Sequence, residues 1–327
     1  MTRTRTTALA GCIAAGLFAG LIAGLAGPAT AAEEMRITFA APNAIYWDTD
    51  VAIEKGFFKE QGFDVKQVAL VTSVAAAQQL ISGSTNVAGG SPEPIIQAYM
   101  RGEKDVGLLS AGCNKIDWTF VVTPDIKTLA DLKGKKIGVS SIHGGESTLV
   151  RQMLDQAGLK YGKDYTYIQI GISPLKYAAM AKGTIAGAAL FQPSGFLAVS
   201  KGMKELVDMS KMPSYPFPVF AVSRTWAAAN KHGERVVAAL QKAQKFIHDP
   251  ANRKEATAIL TKYTKTSPAL AEKTAAFYLG PADIYNTDSK IDRKGLERLV
   301  DIMAEQGLLK AKPKSVDELV LPYAGLK

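Results

Sequence analysis

The stretch Ala77-Gln78-Gln79-Leu80-Ile81-Ser82-Gly83-Ser84-Thr85-Asn86-Val87-Ala88-Gly89-Gly90-Ser91-Pro92 reads as a helix end, a glycine stop, a short β-run and a loop closed by proline. Further along, Ala178-Ala179-Met180-Ala181-Lys182-Gly183-Thr184-Ile185-Ala186-Gly187-Ala188-Ala189-Leu190-Phe191-Gln192-Pro193 reads the same way. Gly83 and Gly183 stand 100 residues apart. Two such units facing one another place two sets of strand-end loops on opposite walls of a cleft. In open α/β sheets, ligands bind outside the carboxyl ends of the strands, beside helix N-termini.

Outward from these units the chain alternates. Strands are expected at 35–41, 63–71, 87–90, 106–111, 118–122, 135–140, 165–170 and 186–191. Helices are expected at 49–61, 74–82, 92–101, 146–156 and 175–181, then at 226–249, 253–264, 268–279 and 293–306. This alternation predicts an α/β fold with largely parallel sheets flanked by helices. A chain of 327 residues suits two domains, and 47% hydrophobic with 21% charged residues is ordinary for a globular protein.

Residues 1–32 are of another kind. Arg3 and Arg5 precede an uncharged apolar run from Ala8 to Gly27, and Ala29-Thr30-Ala31 gives a small-x-small cleavage pattern. This reads as a secretory signal peptide. The run is also long enough for a membrane anchor, and Gly16, Gly20 and Gly24 have helix-packing spacing, but no basic stop-transfer cluster follows. Leu9-Ala10-Gly11-Cys12 resembles a lipobox but precedes the apolar run. Loss of 1–32 removes two basic residues and no acidic one, taking the formal charge from +9 to +7 and leaving Cys113 as the single cysteine. The expected product is an exported protein with no internal disulfide.

Several chemistries are excluded. There is no nucleophile elbow, P-loop, dinucleotide fingerprint or H-E-x-x-H motif. Two cysteines and three scattered histidines offer no metal set, so neither cofactor nor metal is expected. The 39 Lys+Arg are interleaved with 30 Asp+Glu, with no basic-aromatic stripe, which argues against nucleic acid.

What remains is a set of polar loops at strand ends. Ser140-Ser141-Ile142-His143-Gly144-Gly145-Glu146 joins a strand to a helix and exposes backbone N–H groups at the positive end of the helix dipole. A plain capped turn is the alternative. Glu146 would repel an anion there, unless it points away or pairs with an amino group of a zwitterionic ligand. Thr72, Ser73, Ser91 and Gln192 occupy corresponding loops, with Tyr46, Trp47, Asn114 and Trp118 near by. Aromatic walls with a few polar donors compose small-molecule pockets. The candidate ligand-binding residues are thus Tyr46, Trp47, Thr72, Ser73, Ser91, Asn114, Trp118, Ser141, His143, Gly144, Gly145, Glu146 and Gln192.

Glu54-Lys55-Gly56-Phe57-Phe58-Lys59-Glu60-Gln61-Gly62-Phe63-Asp64-Val65 resembles a signature of the solute-binding proteins of nitrate-, sulfonate- and taurine-type ABC importers, whose relatives bind thiamine pyrimidines. So do Leu80-Ile81-Ser82-Gly83-Ser84-Thr85-Asn86-Val87-Ala88, the run from Leu129 to Val139, and Ala178-Ala179-Met180-Ala181-Lys182-Gly183. The resemblance implies a type II periplasmic-binding-protein fold: lobe I from 33–121 plus 223–327, lobe II from 122–222, and hinges near 120–123 and 219–222. It implies a periplasmic protein, monomeric, that captures a small organic anion and delivers it to a membrane permease with its ATPase, touching the membrane protein only transiently. Asn86 stands where the family usually has Asp, with Ala186 at the matching point, and His143 and Glu146 depart from the sulfonate binders' hydroxyl-rich helix start. Sulfonate, nitrate, carboxylate and pyrimidine ligands all stay open. Two other functions share the fold: an enzyme of pyrimidine or menaquinone metabolism, and a ligand sensor.

Overall fold

A computed structural model describes residues 32–40, 43–70, 72–280 and 283–327. The expected signal peptide, 1–32, lies outside the described residues except for Ala32. Two five-stranded sheets organise the rest. The first holds β1 (Glu33–Ala40), β2 (Phe63–Leu70), β3 (Val87–Gly90), β4 (Val106–Ala111) and, from far along the chain, β10 (Val219–Ser223), in the order β2-β1-β3-β10-β4. The second holds β5 (Thr119–Val122), β6 (Lys136–Val139), β7 (Thr166–Gln169), β8 (Gly187–Leu190) and β9 (Lys204–Asp208), in the order β7-β6-β8-β5-β9. The two orders are the same pattern.

Both sheets are mixed. Strand β1 runs parallel to β2 and β3, and β6 runs parallel to β7 and β8. Strands β10 and β5 are antiparallel to both of their neighbours. The expected parallel character therefore belongs to three strands on one side of each sheet. The reason is the crossing of the chain. Strand β4 ends on the cleft side, and the chain passes directly into the other sheet, so β5 begins at the cleft and runs away from it. Strand β10 does the same on the return.

The segments expected as hinges, 120–123 and 219–222, lie largely within β5 and β10, each paired on both edges. The chain instead crosses at 112–118 and 209–218. These two crossings run side by side: Gly112 N donates to Pro218 O at 2.9 Å, Phe217 N to Cys113 O at 2.9 Å, Tyr215 N to Asn114 O at 3.0 Å and Met209 N to Trp118 O at 3.0 Å.

Central strand β3 is buried throughout, as a strand covered on both faces must be. Of the two edge strands, β4 is also buried, with Leu108 bridged to Val320, while β2 is part-exposed after Phe63. The helix expected at 49–61 is two helices, α1 (Trp47–Glu54) and α2 (Phe57–Glu60), because Gly56 at φ +73° breaks the run. Helices α3 (Ser73–Ile81) and α4 (Glu93–Arg101) flank β3. On the second sheet, α5 (Gly145–Gln156), α6 (Ser173–Ala181) and α7 (Ser194–Ser200) follow β6, β7 and β8. The C-terminal part adds α8 (Arg224–Ala228), α9 (His232–His248), α10 (Arg253–Thr264), α11 (Pro268–Leu279) and α12 (Arg293–Glu305). The single helix expected at 226–249 is interrupted where Asn230 and Lys231 take φ of +46° and +57°. Cys113 is free and buried. Among the described residues, no helix is long and apolar enough to cross a membrane.

Candidate functional site

The strand ends of both sheets open on a cleft of about 880 Å³, counting the space at its mouth. The repeat read in the sequence holds here at atomic detail. Ser73 Oγ, in the first turn of α3, accepts from Ser91 N at 3.0 Å. Ser173 Oγ, in the first turn of α6, accepts from Phe191 N at 3.1 Å. Each serine ties its helix start to the loop after the neighbouring strand, and both line the cleft. Gly90 has to be glycine for this approach: a Cβ there would sit 2.6 Å from Ser73 Oγ.

Helix α5 begins at Gly145, and its N-cap Gly144 provides no side-chain cap. The first-turn N–H groups therefore depend on outside partners, as unsatisfied helix starts do. One is found across the cleft, where Gly145 N donates to Ser91 Oγ at 3.3 Å. A Cβ on Gly145 would come within 2.7 Å of Ser91 Cβ and 2.8 Å of Glu93 Oε2, so the close approach requires glycine. Below it, Tyr215 OH donates to Glu93 at 2.9 and 3.0 Å. Burial pushes the Glu93 carboxyl up to about 7 against the lowering effect of its hydrogen bonds.

Glu146 neither turns away from the protein nor awaits an amino group from a ligand. Lys176 Nζ, on α6, lies 2.6 Å from Glu146 Oε1 and 2.6 Å from Ala189 O, and the lysine is fully buried. Ser140 donates to Glu146 Oε2 from its hydroxyl and, at 3.3 Å, from its backbone N–H. Burial draws the Lys176 ammonium below its ordinary range while Glu146 holds it up. The negative charge at the helix start is neutralised by the chain itself.

Of the expected residues, Thr72, Ser73, Ser91, Trp118, Ser141, Gly144, Gly145 and Glu146 line the cleft. Thr72 also caps α3, accepting from Ala75 N at 3.1 Å. Trp118 forms an aromatic wall edge-on to Phe191 and Phe217, with centroids 5.2 and 5.5 Å away. Its indole N–H has no partner among the described residues.

The other five are placed elsewhere. Trp47 is core: it is fully buried and its Nε1 donates to Ala256 O at 2.8 Å. Tyr46 is packed under the first sheet, its hydroxyl 3.3 Å from Gly89 O. Asn114 is a structural tie, donating to Asn286 Oδ1 and Lys290 O at 2.9 Å each and accepting from Asp292 N at 2.8 Å. Gln192 is buried, donating to Thr119 Oγ1 at 2.9 Å and accepting from Phe196 N at 3.0 Å. His143 is exposed on the loop before α5.

Sequence reading missed Ser173, Phe191 and Phe217, which line the cleft. Ser173 carried a usable signal, standing 100 residues from Ser73 just as Gly183 stands from Gly83. Phe217 carried none, because the second crossing brings it there. Among the described residues, no cluster of three or more His, Cys, Asp or Glu could hold a metal ion.

A family model described as "NMT1/THI5 like" matches residues 49–254, more than half of the chain. The chain is 26% identical to the Bacillus subtilis (strain 168) protein YtlA over 284 residues, covering 84% of each. In fold it is similar to the alkanesulfonate-binding protein SsuA from Xanthomonas axonopodis pv. citri, solved bound to MOPS, with TM-score 0.74, 19% identity, and 90% and 99% of the two chains covered. It is similar also to the periplasmic nitrate-binding protein NrtA from Synechocystis PCC 6803, with TM-score 0.75, 16% identity, and coverage of 88% and 86%.

Proposed function

Because the chain belongs to the NMT1/THI5-like family, we propose that it is an exported solute-binding protein that captures a small organic anion, a sulfonate, taurine-like compound or carboxylate, and passes it to the permease of an ABC importer. The observation that carries this reading is the neutral, donor-rich cleft. Serine hydroxyls and the side-chain-uncapped start of α5 line it, and Glu146 is already matched by Lys176. Neutral donors at a helix start hold an anion without a buried unpaired cation to desolvate. The alkanesulfonate-binding neighbour supports this ligand class, and the nitrate-binding one supports an anion more broadly.

In this reading the lobes are 33–121 plus 223–327 and 122–222, joined by the paired crossings, and the protein works as a periplasmic monomer. Ligand favours the closed form by touching both walls, which meet where Gly145 N donates to Ser91 Oγ. No bond-breaking residue is needed. A melting-temperature screen with ethanesulfonate, taurine, nitrate, benzoate and a pyrimidine tests the reading. At least one anion should raise the Tm by several degrees and be recovered unchanged by mass spectrometry. No shift with any of them, or recovery of a transformed product, would overturn it.

A further inference from the structure

A second cavity, about 840 Å³ with its open mouth, adjoins the first at Asn43, which lines both. It is bounded by residues near the ends of β1 and β2, by the turn before α1, and by the end of α10. Its walls include Phe39, Tyr46 and Tyr263, the first two with ring centroids 4.8 Å apart. Asp50, only 3% exposed, also lines it.

The hydrogen bonding of Asp50 is incomplete. Its Oδ1 accepts from Gln67 Nε2 at 3.2 Å, and among the described residues Oδ2 accepts nothing. The adjacent buried carboxylate is different: Asp48 Oδ1 accepts from Thr49 N at 2.7 Å and Oδ2 from Gln244 Nε2 at 3.0 Å. Among the described residues, no cation pairs with Asp50 either. Lys262 and Lys265 line the cavity, Lys262 held by Glu54 at 2.6 Å and Lys265 exposed at the mouth, while the charges acting on Asp50 are those of Asp48 and Glu54, both negative. Burial and those two charges push the Asp50 carboxyl well above its ordinary range. A buried carboxylate with an open oxygen, negative neighbours and aromatic walls is complementary to an organic cation.

We infer that this side cavity binds a protonated organic amine, whose ammonium group donates to Asp50 Oδ2 and packs against the rings of Phe39, Tyr46 and Tyr263. An ammonium has three donors, and Gln67 Oε1, which accepts nothing among the described residues, offers a second acceptor. The inference deepens the solute-binding reading and rests on it for the ligand's other end: a ligand filling both compartments carries its anionic group in the cleft and its amine here.

Calorimetric titration of the full chain separates the two compartments. The probes are phenethylamine, its neutral isostere 2-phenylethanol, and ethanesulfonate, which has no amine. The wild type should bind phenethylamine at least tenfold more tightly than 2-phenylethanol, and Asp50→Asn should weaken the amine at least tenfold. Should Asp50→Asn fail to fold, Tyr263→Leu, on the cavity rim, should weaken the amine at least threefold. No amine binding, equal affinity for amine and alcohol, or amine binding unaffected by these substitutions overturns the site. Loss of ethanesulfonate binding with amine binding intact sinks the cleft reading and leaves this one standing.

Discussion

Lys176 Nζ and Glu146 Oε1 stand 2.6 Å apart at the base of the cleft, the lysine fully buried and the glutamate nearly so. This pair converts an acidic helix start into a neutral one. Removing one partner strands a buried charge, which costs on the order of 3–5 kcal/mol, whereas replacing both by apolar groups is often close to neutral. Lys176→Met should therefore lower the urea-unfolding free energy by about that amount. The double variant Lys176→Met with Glu146→Leu should recover most of it. A single variant as stable as the wild type would show that the pair is not formed.

Gly145 sits where any side chain meets Ser91 and Glu93. Gly145→Ala should hold the two walls apart and weaken anion binding at least tenfold, read by titration calorimetry. Ser91→Leu fills the same space from the opposite wall and should do likewise, with far-ultraviolet circular dichroism unchanged.

The repeat predicts additivity. Ser73→Ala and Ser173→Ala each remove one hydroxyl acceptor from a backbone N–H. Each should cost about 0.5–1.5 kcal/mol. The two sites share no partner, so the double variant should equal the sum to within about 0.5 kcal/mol in urea titrations.

Stability should fall as pH rises through neutrality, in part through Glu93. Its carboxyl is raised from 4.5 to about 7 on folding, so the native state binds the proton more tightly. The resulting stabilisation is complete below about pH 4.5 and lost as pH rises through about 7. Its size is on the order of 3 kcal/mol. Asp117, pushed up to about 7 by burial, acts in the same direction. The difference in unfolding free energy between wild type and Glu93→Gln, measured at pH 5 and at pH 8, isolates the Glu93 share. A pH-independent difference would remove it.

Trp118 should report ligand, and Trp47 should not. Trp118 is part of the cleft's aromatic wall, while Trp47 is locked in the core by Ala256 O. Ligand addition should change tryptophan emission in the wild type and in Trp47→Phe, and leave Trp118→Phe unchanged.

Much of the fold was legible because its signals are local. Glycine stops after helices, apolar β-runs and proline-started helices depend on neighbours a few residues away. The structure departs from local pattern where a positive φ intervenes, as at Gly56, or where the chain crosses between the sheets just before β5 and β10 and so reverses those strands. The candidate site was legible to a lesser degree. Thr72, Ser73, Ser91, Trp118, Ser141, Gly144, Gly145 and Glu146, singled out by strand-end position, line one cleft. The same criterion also gathered Trp47 and Asn114, because position along a strand says nothing about which way a side chain turns.

By itself, the sequence determined the α/β alternation, the two echoing units 100 residues apart and the family segments. Only the tertiary structure decided the electrostatic character of the cleft. Glu146 reads as acidic along the chain and is neutral in effect, because the fold brings Lys176, on α6, to it from 30 residues away. Asp50 reads like its neighbour Asp48 and is left with an open oxygen, because Gln244 and Thr49 reach only Asp48. Charge compensation is set by distance and burial in three dimensions, and local pattern carries neither.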